Sequence, residues 1–182
     1  MKFYHVLLVL LSINLFACSS APTVIPDNTP RPVPATVTAY LNQHPDALQN
    51  LQANHVNLLQ LGDDDRFIIP SLPLFNGLGD RIDPATYPML DQIIAIIQTI
   101  PKESITIQAY TFENASNDLA IRLTDLQAQA VGNYLMSHGV NVRLIYSIGM
   151  GNHNQVTQSP DRLLENYRIE ITLKELKTRL PG

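Results

Sequence analysis

No tryptophan occurs in the 182 residues, and cysteine occurs once, at Cys18. An intramolecular disulfide is therefore excluded, and stability has to come from a packed apolar core. Charge is sparse and the basic sign is the scarcer: 12 Lys and Arg stand against 16 Asp and Glu, a formal −4 at pH 7. Nucleic-acid binding rests on clustered Lys and Arg, so no nucleic-acid partner is expected. The apolar run from Val6 to Phe16 is interrupted by Ser12 and Asn14 and falls short of the roughly 20 residues that a bilayer-spanning helix needs. His44, His55, His138 and His153 lack the paired spacing of a metal site. Gly149-Met150-Gly151 continues into Asn152-His153-Asn154 and opens no helix of the dinucleotide-binding kind. No Ser or Cys stands in a recognisable nucleophile elbow. The chain is thus expected to be no enzyme, with no cofactor and no metal.

What is present begins with a leader. Lys2 supplies a positive start, an apolar stretch follows, and Leu15-Phe16-Ala17 places a small residue just before Cys18. Residues 1–17 read as a secretory signal peptide, and the ending resembles that of bacterial lipoproteins, with Phe16 bulkier than usual at its position. That resemblance implies a mature chain beginning at Cys18, with diacylglycerol on the sulfur and a palmitate-type acyl group on the amine. More than one acyl chain gives firm membrane anchoring. Ser19 in place of Asp implies the outer membrane, with the protein facing the periplasm. The alternatives are a conventionally cut signal and a lone buried thiol. Lys2 is the only charged residue of the leader, so the 11 basic and 16 acidic residues that remain carry −5.

Residues 18–35 form a lipidated N-terminus and a linker rich in proline (Pro22, Pro26, Pro30, Pro32, Pro34), extended at about 3.1 Å per residue where it is polyproline-like. Residues 36–54 are read as one or two short helices, and 55–174 as the compact domain, followed by a tail at 175–182. Val56–Leu61 and Asp65–Ile69 flank Gly62-Asp63-Asp64 as a hairpin. The adjoining Asp63, Asp64 and Asp65 are read as a solvated turn, because the further ligands of a calcium loop are missing. Asp83-Pro84 caps a helix carrying Tyr87, Leu90, Ile94 and Ile97 that stops at Pro101. Ser104–Tyr110 alternates as a strand. A long helix follows, with Leu119, Leu123, Leu126, Ala130 and Tyr134 expected on its buried side and Gly139 closing it. Arg143–Ile148 and Tyr167–Leu173 supply the last strands. The fold class is α+β, with helices packed on a mixed sheet in the order hairpin, α, β, α, β, β.

From Val56 to Lys174 these residues resemble the OmpA C-terminal domain, the peptidoglycan-associated module of many envelope proteins. The resemblance is carried by Pro84 with Leu90-Asp91, by Tyr110-Thr111, and by Leu123-Thr124 with Ala128. Gly139, Gly149-Met150-Gly151 and Asn166-Tyr167-Arg168-Ile169-Glu170-Ile171 extend it. It implies a pocket for the diaminopimelate of peptidoglycan, in which an Asp after the strand-ending Thr111 accepts the ammonium and an Arg clamps a carboxylate through two parallel donors. Here Phe112 stands at the Asp position and Gln127 at the Arg position. Ala115 and Ala120 replace a Gly and an Asn of the pattern, and Tyr167-Arg168 leaves one cation where the pattern has two. Hydrogen bonds to charged groups contribute about 1.5–3 kcal/mol each, so losing two removes roughly 3–6 kcal/mol, or about two to four decades of affinity.

Thr111, Phe112, Ala115, Ala120, Gln127 and Arg168 are therefore expected to line a degenerate pocket in which peptidoglycan binding is weak or absent. Phe112 is expected either to plug it or to anchor a protein contact. Within the family, the lipoprotein ending, Pro-rich spacer and altered pocket are similar to the OmpA-like lipoproteins of Dot/Icm type IVB secretion systems. That resemblance implies a structural role among other secretion-complex envelope proteins at the outer membrane. The alternative is a peptidoglycan tether linking outer membrane to cell wall.

Overall fold

The computed structural model describes residues 36–112 and 116–176. The leader, Cys18, the Pro-rich linker, Glu113, Ala115 and residues 177–182 lie outside the described residues.

Two short helices come first, α1 (Val37–Gln43) and α2 (Pro45–Ala53). Thr36 caps α1 by accepting the Ala39 N–H on its hydroxyl, and Pro45 occupies the start of α2, where a missing N–H costs nothing. Val37, Tyr40, Leu41, Ala47 and Leu51 are buried in the main core, and α2 packs against α4 (Tyr87–Thr99). Strands β1 (Asn57–Leu61) and β2 (Asp64–Pro70) form the expected hairpin, and the four-residue helix α3 (Ser71–Leu74) follows. The Asp83 carboxylate accepts the Ala85 N–H at 2.9 Å, starting a short 3-10 turn that leads into α4. Strand β3 (Lys102–Tyr110), the long helix α5 (Asn117–Ser137), β4 (Ile145–Gly149) and β5 (Arg168–Glu175) complete the element order.

The sheet runs β1-β2-β5-β3-β4. Only β3 and β4 are parallel, joined by α5 as the crossover, and the other pairs are antiparallel. The sheet is therefore mixed and the fold is α+β. Directly opposed residues point to one face, so Phe67, Ile69, Ile105, Ile107, Ile169 and Ile171 form a continuous apolar layer. Leu90, Ile93, Ile96 and Ile97 of α4 and Ala128, Val131 and Leu135 of α5 complete the core against it. Each such aliphatic side chain contributes about 1.5–3 kcal/mol by leaving water.

Three local expectations change. The buried side of α5 is Ala120, Thr124, Gln127, Ala128, Val131, Gly132 and Leu135, whereas Leu119 and Leu126 are 59% and 49% exposed. Small residues are needed there because the end of β4 comes into van der Waals contact with the helix backbone. Residues 142–144 form a 3-10 turn, capped by the Asn141 carboxamide accepting the Arg143 N–H, so β4 starts at Ile145. Asp65 is not solvated: it is buried, and its carboxylate accepts the Val37 N–H at 3.1 Å.

Candidate functional site

Thr111 follows the last residue of β3 and is buried; its N–H donates to Gly151 O at 2.9 Å. Gly151 in turn donates its N–H to the Thr124 hydroxyl at 2.9 Å, and that hydroxyl lies 2.8 Å from Ala120 O. One chain of contacts thus joins the strand end, the loop after β4 and the first turns of α5. Glycine is required twice. A Cβ at Gly149 would sit 2.3 Å from the Asp125 backbone nitrogen, and Gly151 has φ +56° with Ile121 3.0 Å from an added Cβ. The Asp125 carboxylate accepts the Gly149 N–H at 2.6 Å, fastening α5 to the end of β4. Thr111 and Ala120 are therefore close neighbours, with half-buried Phe112 immediately beyond.

Gln127 lies seven residues on, about 10.5 Å along the helix axis. It is buried, and its side-chain N–H donates to Gly79 O at 2.7 Å, in the loop between α3 and the turn before α4. No charge stands at this point. A neutral amide holds a backbone carbonyl, and its own Oε1 has no hydrogen-bond partner among the described residues. Arg122, five residues before Gln127 on the same helix, is exposed.

Arg168 belongs to the opposite face of the sheet. It pairs in register with Tyr110, and its guanidinium carbon lies 3.7 Å from the centre of the Tyr110 ring, a cation–π contact. Its Nε donates to Glu170 at 2.7 Å and one terminal nitrogen donates to Asn154 O at 3.1 Å. Glu170 also accepts from Arg66 at 2.7 Å, so two guanidiniums flank one buried carboxylate. The Tyr110 phenol is pushed above its ordinary pKa by burial, with the Glu170 charge adding to the effect. Thr111 Oγ1 and Arg168 Nη1 are buried without partners among the described residues.

The expected pocket positions are thus distributed over three places. Thr111, Phe112 and Ala120 adjoin one another, Gln127 is engaged by a separate loop, and Arg168 lies under Tyr110 on the far face. Among the described residues no cluster of His, Cys, Asp or Glu could hold a metal ion, and no helix is long and apolar enough to cross a membrane. His44 stacks on Tyr40 and His138 on Tyr134. The tie from Asp125 to Gly149 was not foreseen. A lone acidic residue on a helix carries no sequence signal for it, and the signal that could have found the close approach is the pair Gly149 and Gly151 after a strand.

Residues 74–167, just over half of the chain, match the model described as the OmpA family. This chain belongs to the OmpA family. Among curated proteins it is 25% identical over 128 residues to the probable lipoprotein YiaD of Escherichia coli K12, a match covering 69% of this chain and 58% of that one. It is 29% identical over 101 residues to the peptidoglycan-binding protein ArfA of Mycobacterium tuberculosis H37Rv, covering 54% of this chain and 31% of that one. The match thus spans less than two thirds of either relative. Among solved structures, the cell wall anchor of the type VI secretion system from Pseudomonas aeruginosa superposes with a TM-score of 0.65 at 16% identity, over 78% of this chain and 99% of that one. At that identity the likeness establishes the OmpA-like fold alone.

Proposed function

We propose that this chain is an outer-membrane lipoprotein, anchored through Cys18 and facing the periplasm, whose OmpA-like domain serves as a structural docking component of an envelope secretion complex of the Dot/Icm type IVB kind. The observation that carries the reading is the state of Gln127. The family resemblance calls for an arginine reaching a ligand carboxylate, and this side chain instead holds the Gly79 carbonyl. Phe112 supplies no carboxylate for an ammonium. A site without its matched charges gives little hold on a zwitterionic amino acid, so the scaffold is retained for contacts with other envelope proteins.

A second reading, a tether to peptidoglycan, is favoured by the relatives: one is named a peptidoglycan-binding protein and a structural neighbour a cell wall anchor. Sedimentation with purified sacculi separates the two. The wild-type chain is expected to stay in the supernatant, and the double change Phe112→Asp with Gln127→Arg to bring part of it into the pellet. Wild-type retention that free diaminopimelate competes away would sink the docking reading.

A further inference from the structure

Strand β1 is one edge of the sheet, and among the described residues it is paired only with β2. The two-residue turn Gly62-Asp63 makes Leu61 and Asp64 the closing hydrogen-bonded pair. Bonding residues alternate along an antiparallel strand, so Asn57, Leu59 and Leu61 bond to β2 while Leu58 and Gln60 direct N–H and C=O away from it. Native edges of this kind are usually blunted by charge, proline or a bulge. The run Asn57-Leu58-Leu59-Gln60-Leu61 has none of these and pairs with β2 without a register shift. Nor is the strand covered: Asn57, Leu59, Gln60 and Leu61 are exposed, Leu59 and Leu61 to 42% and 43%. The other edge is guarded, since α5 packs on β4 and Asp125 takes the Gly149 N–H.

The strand is complementary to itself. A twofold axis through Leu59, perpendicular to the sheet, lays β1 antiparallel to the β1 of a second copy, with Leu58 of each chain opposite Gln60 of the other. Both are outward-bonding residues, so each of these pairs exchanges both of its backbone hydrogen bonds. Moving the axis to Leu58 or to Gln60 instead sets one of them against Val56 or Gly62, outside the strand. On the open face the exposed Leu59 then meets its own counterpart and Leu61 meets Asn57, so the leucines cover one another reciprocally. A charge at the axial position would meet its like, which is destabilising in a directly opposed pair, and that position is leucine. Beyond the strand ends the same register carries exposed Asp63 of each copy toward exposed His55 of the other, acid toward imidazole and not like toward like.

We propose that β1 is a self-pairing edge through which two copies of this chain join, their five-stranded sheets becoming one continuous sheet across Leu59. Backbone groups at Leu58 and Gln60 supply the pairing, and the Leu59 contact at the axis fixes the register. A short edge makes a contact at the small end of specific interfaces, so the dimer is reversible and its population rises with concentration. The assignment goes beyond both functional readings. It involves none of the pocket positions and is tested without sacculi, so its failure and theirs are distinguishable.

The test is sedimentation equilibrium of the purified full-length chain carrying Cys18→Ser, together with mild oxidation of single cysteines placed on β1 in that background. The chain is expected to show a reversible monomer–dimer equilibrium. Leu59→Lys, which sets two like charges on the axis, and Gln60→Pro, which removes an outward N–H that β2 does not use, are each expected to weaken the dimer at least tenfold with an unchanged circular dichroism spectrum. Opposed residues of a non-hydrogen-bonded pair stand about 4.5 Å apart at Cα, within the range that a disulfide spans. Leu59→Cys is therefore expected to cross-link two chains at least tenfold faster than Leu61→Cys, which faces Asn57. A chain that stays monomeric up to about 1 mM, a dimer that survives both β1 substitutions, or equal cross-linking at the two cysteine positions would overturn the proposal.

Discussion

The side chain of Gln127 donates to the carbonyl oxygen of Gly79 at 2.7 Å, across 48 residues of sequence. This one hydrogen bond fastens the loop after α3 to the middle of α5. Gln127→Ala removes it, and because Gly79 is exposed its carbonyl can turn to water, so the loss is about 0.5–1.5 kcal/mol, the net worth of one hydrogen bond. Denaturant unfolding is expected to show that loss, and hydrogen exchange to show faster exchange in residues 77–83 than elsewhere. Unchanged exchange there would mean that the loop is held by other contacts.

Gly149 lies against the Asp125 backbone with no room for a methyl group. Gly149→Ala is therefore expected to destabilise by about 3 kcal/mol, the upper part of the usual range for overpacking, because the clash is with helix backbone and no flexible side-chain tip can yield. Asp125→Ala removes only a hydrogen bond to a charged group, about 1.5–3 kcal/mol. The order of the two, read from thermal midpoints, checks this assignment.

Glu170 is 4% exposed and stands between two guanidiniums. Glu170→Ala leaves Arg168 as an uncompensated buried cation, a change that costs about 3–5 kcal/mol. Arg66→Ala should cost less, since its side chain is partly solvated and Arg168 still balances the carboxylate. If calorimetry gave equal losses, Glu170 would depend on Arg66 as much as on Arg168.

Asp65 carries a pKa raised above its ordinary 3.8, chiefly by desolvation, with the Val37 N–H working in the opposite direction and Asp64 adding to the rise. The folded state then holds its proton to higher pH than the unfolded chain does, so stability falls as pH climbs from 3.8 through the raised value. Asp65→Asn keeps an oxygen for Val37 without a charge to desolvate. It is expected to be more stable than wild type at pH 7, with the advantage shrinking as the pH is lowered toward 3.8. An advantage that persists undiminished in acid would point to packing instead of ionisation.

Much of the architecture was legible because it is written in local chemistry. Gly62-Asp63 fixes the hairpin turn, Asp83-Pro84 starts a helix, and period-two alternation around Ile105 and Ile107 marks a strand. The buried side of α5 was not, because leucines at Leu119 and Leu126 outweigh alanine and threonine on any apolar scale, while the packing selects for small size. The partners of Gln127 and Asp65 were equally hidden. Each is fixed by an element more than twenty residues away, and a carboxamide or carboxylate shows no trace of that in its neighbours. Of the three adjoining aspartates only Asp63 is an exposed turn residue: Asp64 is half-buried as the first residue of β2, and the pleat points Asp65 inward beside Phe67.

Strand β5, the last in sequence among the described residues, lies between β2 and β3 at the centre of the sheet. The hairpin and the α5 crossover unit therefore have no shared partner until residues 168–175 arrive. Assembly of the sheet has to wait for these residues, and a chain cut short before them would present two unjoined pieces of sheet with open edges to any protease or chaperone it meets.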